Sequence, residues 1–247
     1  MKNIFFALAL LCSFPVFAQQ GVLYVASKTG LNIREKPEAG AKVLDKIPYG
    51  TKVTLQEAGE NTGKIITEGL SGYWKKVTYN DKTGYIIDAY LFPFPPPKAG
   101  IKEMKDYLEQ LSSAFGSKLV VSSGNEETGT ELHKQLYKNG AEWHSFRGYE
   151  YGSNTYFLPE FTIQQGFLLV RMISEFNQAI TEKDEFPVKD QLFKRGEREY
   201  SIKVEKEMFG DNPFIKKIAI EFEDGAIYDF EMYQIDNQLV IFYGSGV

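Results

Sequence analysis

The chain has a single cysteine, Cys12, and only two histidines, His133 and His144, in 247 residues. Cys12 lies in an N-terminal stretch that reads as a removable leader, so the mature protein is expected to hold no thiol, disulfide or cysteine metal ligand. A thiol peptidase, which needs a cysteine beside a histidine base, is thereby excluded. A zinc hydrolase needs three protein ligands, commonly two or more of them histidines. His133 and His144 flank Asn139-Gly140 and could approach across paired strands, but no third ligand stands at a recognisable spacing. No metal and no other cofactor is expected.

Long apolar runs are also missing. The stretch from Ile4 to Leu11 is far shorter than the ~20 residues a membrane helix requires, and no later segment supplies such a run. An excess of positive charge is absent too. Against 28 Lys and Arg stand 33 Asp and Glu, a formal net charge of -5, which argues against nucleic acid or an anionic membrane as partner. There is no phosphate loop, no Rossmann fingerprint and no Gly-x-Ser-x-Gly elbow. Gly244-Ser245-Gly246 sits at what reads as a frayed terminus.

What is present begins with that leader. Met1-Lys2-Asn3 is a short positive start, an apolar stretch follows, and Val16-Phe17-Ala18 suits a cleavage site. Residues 1–18 are therefore expected to be a signal peptide, leaving a secreted or periplasmic protein. Leu11 is bulky where a lipoprotein signal has a small residue, so Cys12 is not expected to carry lipid. Hydrophobic content is 43%, and 19 Phe and 15 Tyr suit a β-rich globular chain.

Residues 19–92 read as short strands separated by turns. Leu23-Tyr24-Val25 opens them, and Leu31-Asn32-Ile33-Arg34 alternates apolar and polar as a half-buried strand does. Lys36-Pro37-Glu38-Ala39-Gly40 is a turn, and Val43 to Ile47 and Lys52 to Leu55 are strands around Pro48-Tyr49-Gly50. A long connection from Glu57 to Gly72 leads to Tyr73–Tyr79 and Gly84–Ile87, joined by Asn80-Asp81-Lys82. So many short strands in so few residues mean a small barrel or a partly open sandwich.

Leu31 to Arg34, Tyr49 to Val53, Trp74 to Val77, Thr83 to Ile86 and Tyr90-Leu91 follow one another in a fixed order and spacing. In this the segment resembles the bacterial SH3-like (SH3b) family. Tyr85 stands where that family often has Trp, and the Glu57–Gly72 connection is unusually long. The resemblance implies a small all-β barrel that binds a surface, often cell wall, and does no chemistry. Tyr73, Trp74, Tyr79, Tyr85 and Tyr90 cluster late in the segment, with Asn32 and Arg34 on the polar side of an early strand. Rings with a few hydrogen-bonding groups suit a groove for peptide or sugar, which makes Asn32, Arg34, Tyr73, Trp74, Tyr85 and Tyr90 the candidate ligand-binding residues. Trp74 is equally suited to filling so small a core, and Asn32 and Arg34 to local structural bonds.

Residues 93–100 are proline-rich, which favours an extended linker. Residues 101–247 resemble no family and read as an α+β domain, with an antiparallel meander and one or two helices. Ile101, Met104, Leu108, Leu111 and Phe115 are spaced as one helix face, with Gly116 as its stop. Strands are expected at Lys118–Ser122, Leu132–Lys138, Ala141–Phe146 and Thr155–Phe161, the middle two joined by a type I′ turn at Asn139-Gly140. Thr162 suits the cap of a helix from about Ile163 to Ile180, since Leu169, Ile173, Phe176 and Ile180 share a face, although Phe167-Leu168-Leu169-Val170 would also suit a buried strand. Ser201–Met208, Ile215–Glu223, Ala226–Gln234 and Gln238–Tyr243 form the meander, one face buried and one wet.

Within this half, Tyr149-Glu150-Tyr151-Gly152-Ser153-Asn154-Thr155-Tyr156 reads as an aromatic loop near Trp143, so Trp143, Tyr149 and Tyr151 join the candidate binding residues. The expected function is that of an exported, non-enzymatic binding protein whose partner is peptidoglycan or an envelope protein. One alternative is an envelope glycan hydrolase with paired carboxylates, for which Glu142, Glu150, Glu160 and Glu175 are candidates among many. The other is a protein scaffold or inhibitor acting through the aromatic loop.

Overall fold

The computed structural model describes residues 22–56, 62–125 and 128–247. The expected signal peptide and Cys12 lie outside the described residues. The fold is mostly β, with two short α-helices.

Among the described residues eight strands precede the first α-helix: β1 (Val22–Val25), β2 (Leu31–Arg34), β3 (Val43–Ile47), β4 (Lys52–Thr54), β5 (Thr62–Thr67), β6 (Leu70–Tyr79), β7 (Lys82–Ile87) and β8 (Leu91–Phe92). They pair as a three-stranded sheet, β4-β1-β8, and a five-stranded sheet, β3-β2-β7-β6-β5. Among the described residues these are two sheets and not one closed ladder, so the expected barrel is not closed. The alternation in β2 works as the sequence suggests: Leu31 and Ile33 point inward and join Val25, Ile47, Val77 and Ile86 in a small core. Strand β5 occupies part of the long Glu57–Gly72 connection. It is joined to β6 by Glu68-Gly69, both at positive φ, 50° and 75°, which is the type I′ geometry that matches strand twist.

The second half contains α1 (Met104–Leu111), β9 (Ala114–Ser123), β10 (Thr130–Tyr137), β11 (Glu142–Arg147), β12 (Tyr151–Pro159), α2 (Ile163–Val170), β13 (Gln191–Arg195), β14 (Arg198–Phe209), β15 (Asn212–Glu223), β16 (Ile227–Ile235) and β17 (Gln238–Gly246). Nine strands form one sheet in the order β13-β14-β15-β16-β17-β12-β11-β10-β9, every neighbouring pair antiparallel. Register fixes its faces. Ile218, Met232, Ile241, Tyr156 and Trp143 lie side by side across five strands. This face packs on Tyr107 and Leu108 of α1, on Phe167 and Leu169 of α2, and on Phe176. The opposite face carries Glu231 and Lys217, paired at 2.6 Å.

Several expectations change. Helix α1 ends at Leu111 and Phe115 falls in β9, where it is exposed. Helix α2 starts with the expected Thr162 cap, completed by Gln165 as a capping box, but stops after Val170. Ile173 is extended, and a single 3-10 turn, Ser174–Phe176, follows. Ile173, Phe176 and Ile180 are nevertheless all buried, so the apolar spacing records burial and not helix length. The Asn139-Gly140 hairpin forms, but only Gly140 has positive φ and Gly140 N–H bonds the Tyr137 carbonyl, a three-residue turn in place of type I′. Gly244-Ser245-Gly246 is no frayed end, since it pairs with both β12 and β16.

The proline-rich stretch is packed through its middle, where Pro96 and Pro97 are buried, while Lys98, Ala99 and Gly100 are exposed. Phe94 stacks on Phe161, Tyr107 Oη donates to the Pro95 carbonyl at 3.0 Å, and Tyr49 Oη donates to the Pro97 carbonyl at 2.8 Å. Ala26, Leu70 and Phe92 belong to the same apolar cluster as α1, α2 and the large sheet. The two halves therefore share a core.

Candidate functional site

The candidate residues of the first half do not converge on one groove. Arg34 Nη1 donates to the Ala41 carbonyl at 2.7 Å and so ties β2 to the turn ahead of β3. Asn32 is half-buried opposite Lys46. Trp74 is buried, 6% exposed, which favours its reading as core. Tyr90 Oη lies 3.2 Å from Thr67 Oγ1 and 3.3 Å from Glu68 Oε1, and burial raises its pKa. On the five-stranded sheet Tyr73 is exposed, while Tyr85 and Tyr79 are half-buried. Tyr85 lies across from Arg34 and Lys76, and Tyr73 is exposed with Lys75 Nζ 5.6 Å from its ring centre. The glycine before Tyr85 is dictated by packing: a Cβ at Gly84 would come 2.5 Å from the Arg34 carbonyl oxygen.

The second half contains a better-formed site, an open cavity of about 630 Å3 on the helix-bearing face of the large sheet, beyond the start of α1. Strand alternation brings Trp143, Asn154, Tyr156 and Tyr243 to this face. The 3-10 turn then supplies Glu175 from above. Trp143 Nε1 donates to Asn154 Oδ1 at 3.2 Å, and Asn154 Nδ2 approaches Glu175 Oε1 at 3.5 Å. Tyr156 Oη donates to the same oxygen at 2.6 Å, and the Met104 backbone N–H donates to Glu175 Oε2 at 2.8 Å. The indole is thus held by a chain of side-chain bonds, which is the condition for a pre-organised recognition surface.

Burial pushes the Glu175 carboxyl above its ordinary range, and the negative charge of Glu103 adds to this; the bonds from Met104, Tyr156 and Asn154 oppose the rise. Burial likewise lifts Tyr156 well above a free phenol, and Tyr243 to about 12. A carboxyl whose folded pKa is raised stabilises the fold fully below the unfolded pKa, and that contribution is lost as pH climbs through the folded value. Glu175→Gln removes this titration. Melting curves of the two proteins should therefore converge or cross as pH rises above ~4.5, the variant gaining on the wild type. A melting difference that stays constant from pH 4 to pH 8 would contradict the assignment.

Trp143 is the only candidate of the second half that faces this cavity. Tyr151 lies on the opposite side of β12, its ring 6.2 Å from Phe146, and Tyr149 is 71% exposed. The stretch read as an aromatic loop is mostly strand β12. The two histidines also point to opposite faces: His133 bonds Glu131, while His144 Nε2 lies 3.0 Å from Glu142 and its ring packs on Phe157. Among the described residues no cluster of three or more His, Cys, Asp or Glu is placed to hold a metal ion, and no helix is long and apolar enough to cross a membrane. Of the candidate carboxylates, Glu142 is engaged with His144 and Glu160 is exposed in a turn. Only Glu175 reaches the cavity. Tyr243 and Lys105 carry no sequence signal for it, and Asn154 and Tyr156 stand out only as part of the Tyr149–Tyr156 stretch, since three separate elements, α1, β12 and β17, contribute the four residues.

Comparison with known proteins bears on the first half alone. No curated protein and no solved structure matches the chain. The family model for the bacterial SH3 domain matches residues 29–92, from just before β2 to the end of β8. The resemblance read from the β2, β6 and β7 motifs is therefore upheld, and the chain carries a bacterial SH3 domain over that span.

Proposed function

We propose that the protein is exported and non-enzymatic, its SH3 domain recognising cell-wall peptide or another envelope ligand, and residues 101–247 acting as a second binding module. The observation that carries this reading is the SH3 match over residues 29–92, a domain class that commonly serves as a wall-binding module. Tyr73 is the exposed ring of the described part of that domain and Tyr85 a half-buried one, with Lys75 beside the first and Lys76 beside the second. Retention on purified peptidoglycan tests it. The full chain is expected to pellet with peptidoglycan at modest salt, and Tyr73→Ala combined with Tyr85→Ala to weaken retention about tenfold, the ~1–2 kcal/mol that lost aromatic stacking contributes. Protein that stays in solution at low and modest salt alike would end the wall-binding reading.

A second reading, a glycan hydrolase, draws on Glu103 and Glu175 lining the same cavity, one of them with a raised pKa. Against it, both oxygens of Glu175 already accept bonds from Met104 and Tyr156. A proton on either would oppose a donor, and the carboxyl is better suited to fixing the site than to giving up a proton. Release of reducing ends from peptidoglycan, lost in Glu175→Gln, would reverse that preference.

A further inference from the structure

We infer that the cavity over Trp143 binds a saccharide that carries a carboxylate. The inference rests on reading residues 101–247 as a binding module and names its ligand class. The cavity's size lies within the ~300–1,000 Å3 of small-ligand sites. Its floor combines the Trp143 indole with Tyr243, while Asn154 and the hydroxyls of Ser145, Ser174 and Ser245 line the space around them. Flat rings among short hydroxyl and amide side chains match a pyranose, whose C–H face lies on an aromatic ring while its hydroxyls need donors and acceptors around the edge. A purely apolar ligand would leave those groups without partners.

Charge supplies the second half of the argument. Lys102, Lys105 and Arg147 stand around the opening of a protein whose net charge is -5. Lys105 pairs with Glu109 at 3.0 Å and lies 5.5 Å from the Trp143 ring centre. Lys102 and Arg147 are exposed, and among the described residues neither has a carboxylate within ion-pair distance. Glu131 lies across the β10–β11 pair from Arg147 and feels its charge without reaching ion-pair distance; cations held this loosely beside an aromatic platform favour a ligand whose ring and anionic group are joined at short range. Glu103 and Glu175 are the opposing carboxylates of the lining, and both oxygens of Glu175 are turned to donors of the protein itself, the Met104 N–H and the Tyr156 hydroxyl.

The test uses pairs of sugars that differ in the group bearing the acid, added to the full chain and followed by tryptophan fluorescence. One pair is N-acetylmuramic acid and N-acetylglucosamine; the other is glucuronic acid and glucose. At least one acid is expected to give a saturable change, with its neutral twin about tenfold weaker or worse. Trp143→Phe should abolish the signal, since Trp74, the other tryptophan, is buried in the SH3 domain. Lys102→Gln with Arg147→Gln, both at exposed positions, should weaken the acid about tenfold and leave the neutral sugar unchanged. Equal binding of acid and neutral twin, or no saturable change with either acid, overturns the inference. So does tighter binding of a carboxylate-bearing peptide such as trialanine. None of these results touches the wall-binding reading, which peptidoglycan retention through Tyr73 and Tyr85 decides separately.

Discussion

Phe176→Ala is expected to destabilise the protein by about 3–5 kcal/mol, the range for truncating a buried aromatic side chain. Phe176 is fully buried, and its ring meets those of Tyr156, Phe230 and Tyr243 edge-on, with centroids 6.3, 5.7 and 5.8 Å away. Three rigid rings cannot collapse into the space, so the cavity term adds to the lost burial. For a chain of this size each kcal/mol lowers the melting temperature by about 2–4 °C, and a drop of about 6–20 °C should appear in calorimetry. Tyr156 and Tyr243 also line the ligand cavity, so any ligand response of Trp143 should weaken in the same variant. Asn177→Ala, one residue on and exposed, serves as control and should shift stability by no more than ~0.5 kcal/mol. A Phe176→Ala protein melting within about 2 °C of wild type would show that this ring is not the keystone its contacts suggest.

The sequence was most legible where local pattern and burial agree. Leu31-Asn32-Ile33-Arg34 alternates because one face of β2 is buried, and its strand ends match the motif residue for residue. The meander from β14 to β17 was legible for the same reason. Legibility failed where burial is set from a distance. Leu169, Ile173, Phe176 and Ile180 fall on one helical face, yet the chain leaves the helix after Val170 and buries them through a turn. Strand β13 was missed because its residues, Gln191 to Arg195, include Lys194 and two long polar neighbours, which suits an edge strand but not a core pattern. The proline-rich stretch reads as a spacer by composition; its packing depends on Tyr107 of the helix that follows and on Tyr49 and Phe161, which lie far off in sequence. The cavity could not be read for the same reason. Trp143 was identifiable as a large amphipathic ring, but Asn154, Tyr156 and Glu175 become its partners only once β11, β12 and the 3-10 turn are laid together.

The shared core makes a strong prediction at Gly69. This residue closes the β5–β6 turn at φ 75°, and a Cβ there would overlap the Phe186 carbonyl oxygen. The turn is seated in the second half: Phe186 N–H donates to the Glu68 carbonyl at 2.9 Å, Arg171 Nη1 pairs with Glu68 at 2.7 Å, and the Ser71 N–H donates to Gln164 Oε1 at 2.6 Å. Gly69→Ala faces two costs, about 1–2 kcal/mol for a side chain at positive φ and about 1–3 kcal/mol for the overlap with fixed backbone. Gly63 separates them, because it also has positive φ, 64°, with nothing near its missing Cβ; Gly63→Ala should show the first cost alone. The wild type is expected to unfold in one calorimetric transition, since Leu70 and Phe92 share a cluster with Phe167 and Phe186. Gly69→Ala should split it, the SH3 strands melting first while the nine-stranded sheet persists. Two transitions already present in wild type, unmoved by the substitution, would mean that the contacts around Glu68 join the halves without coupling their stability.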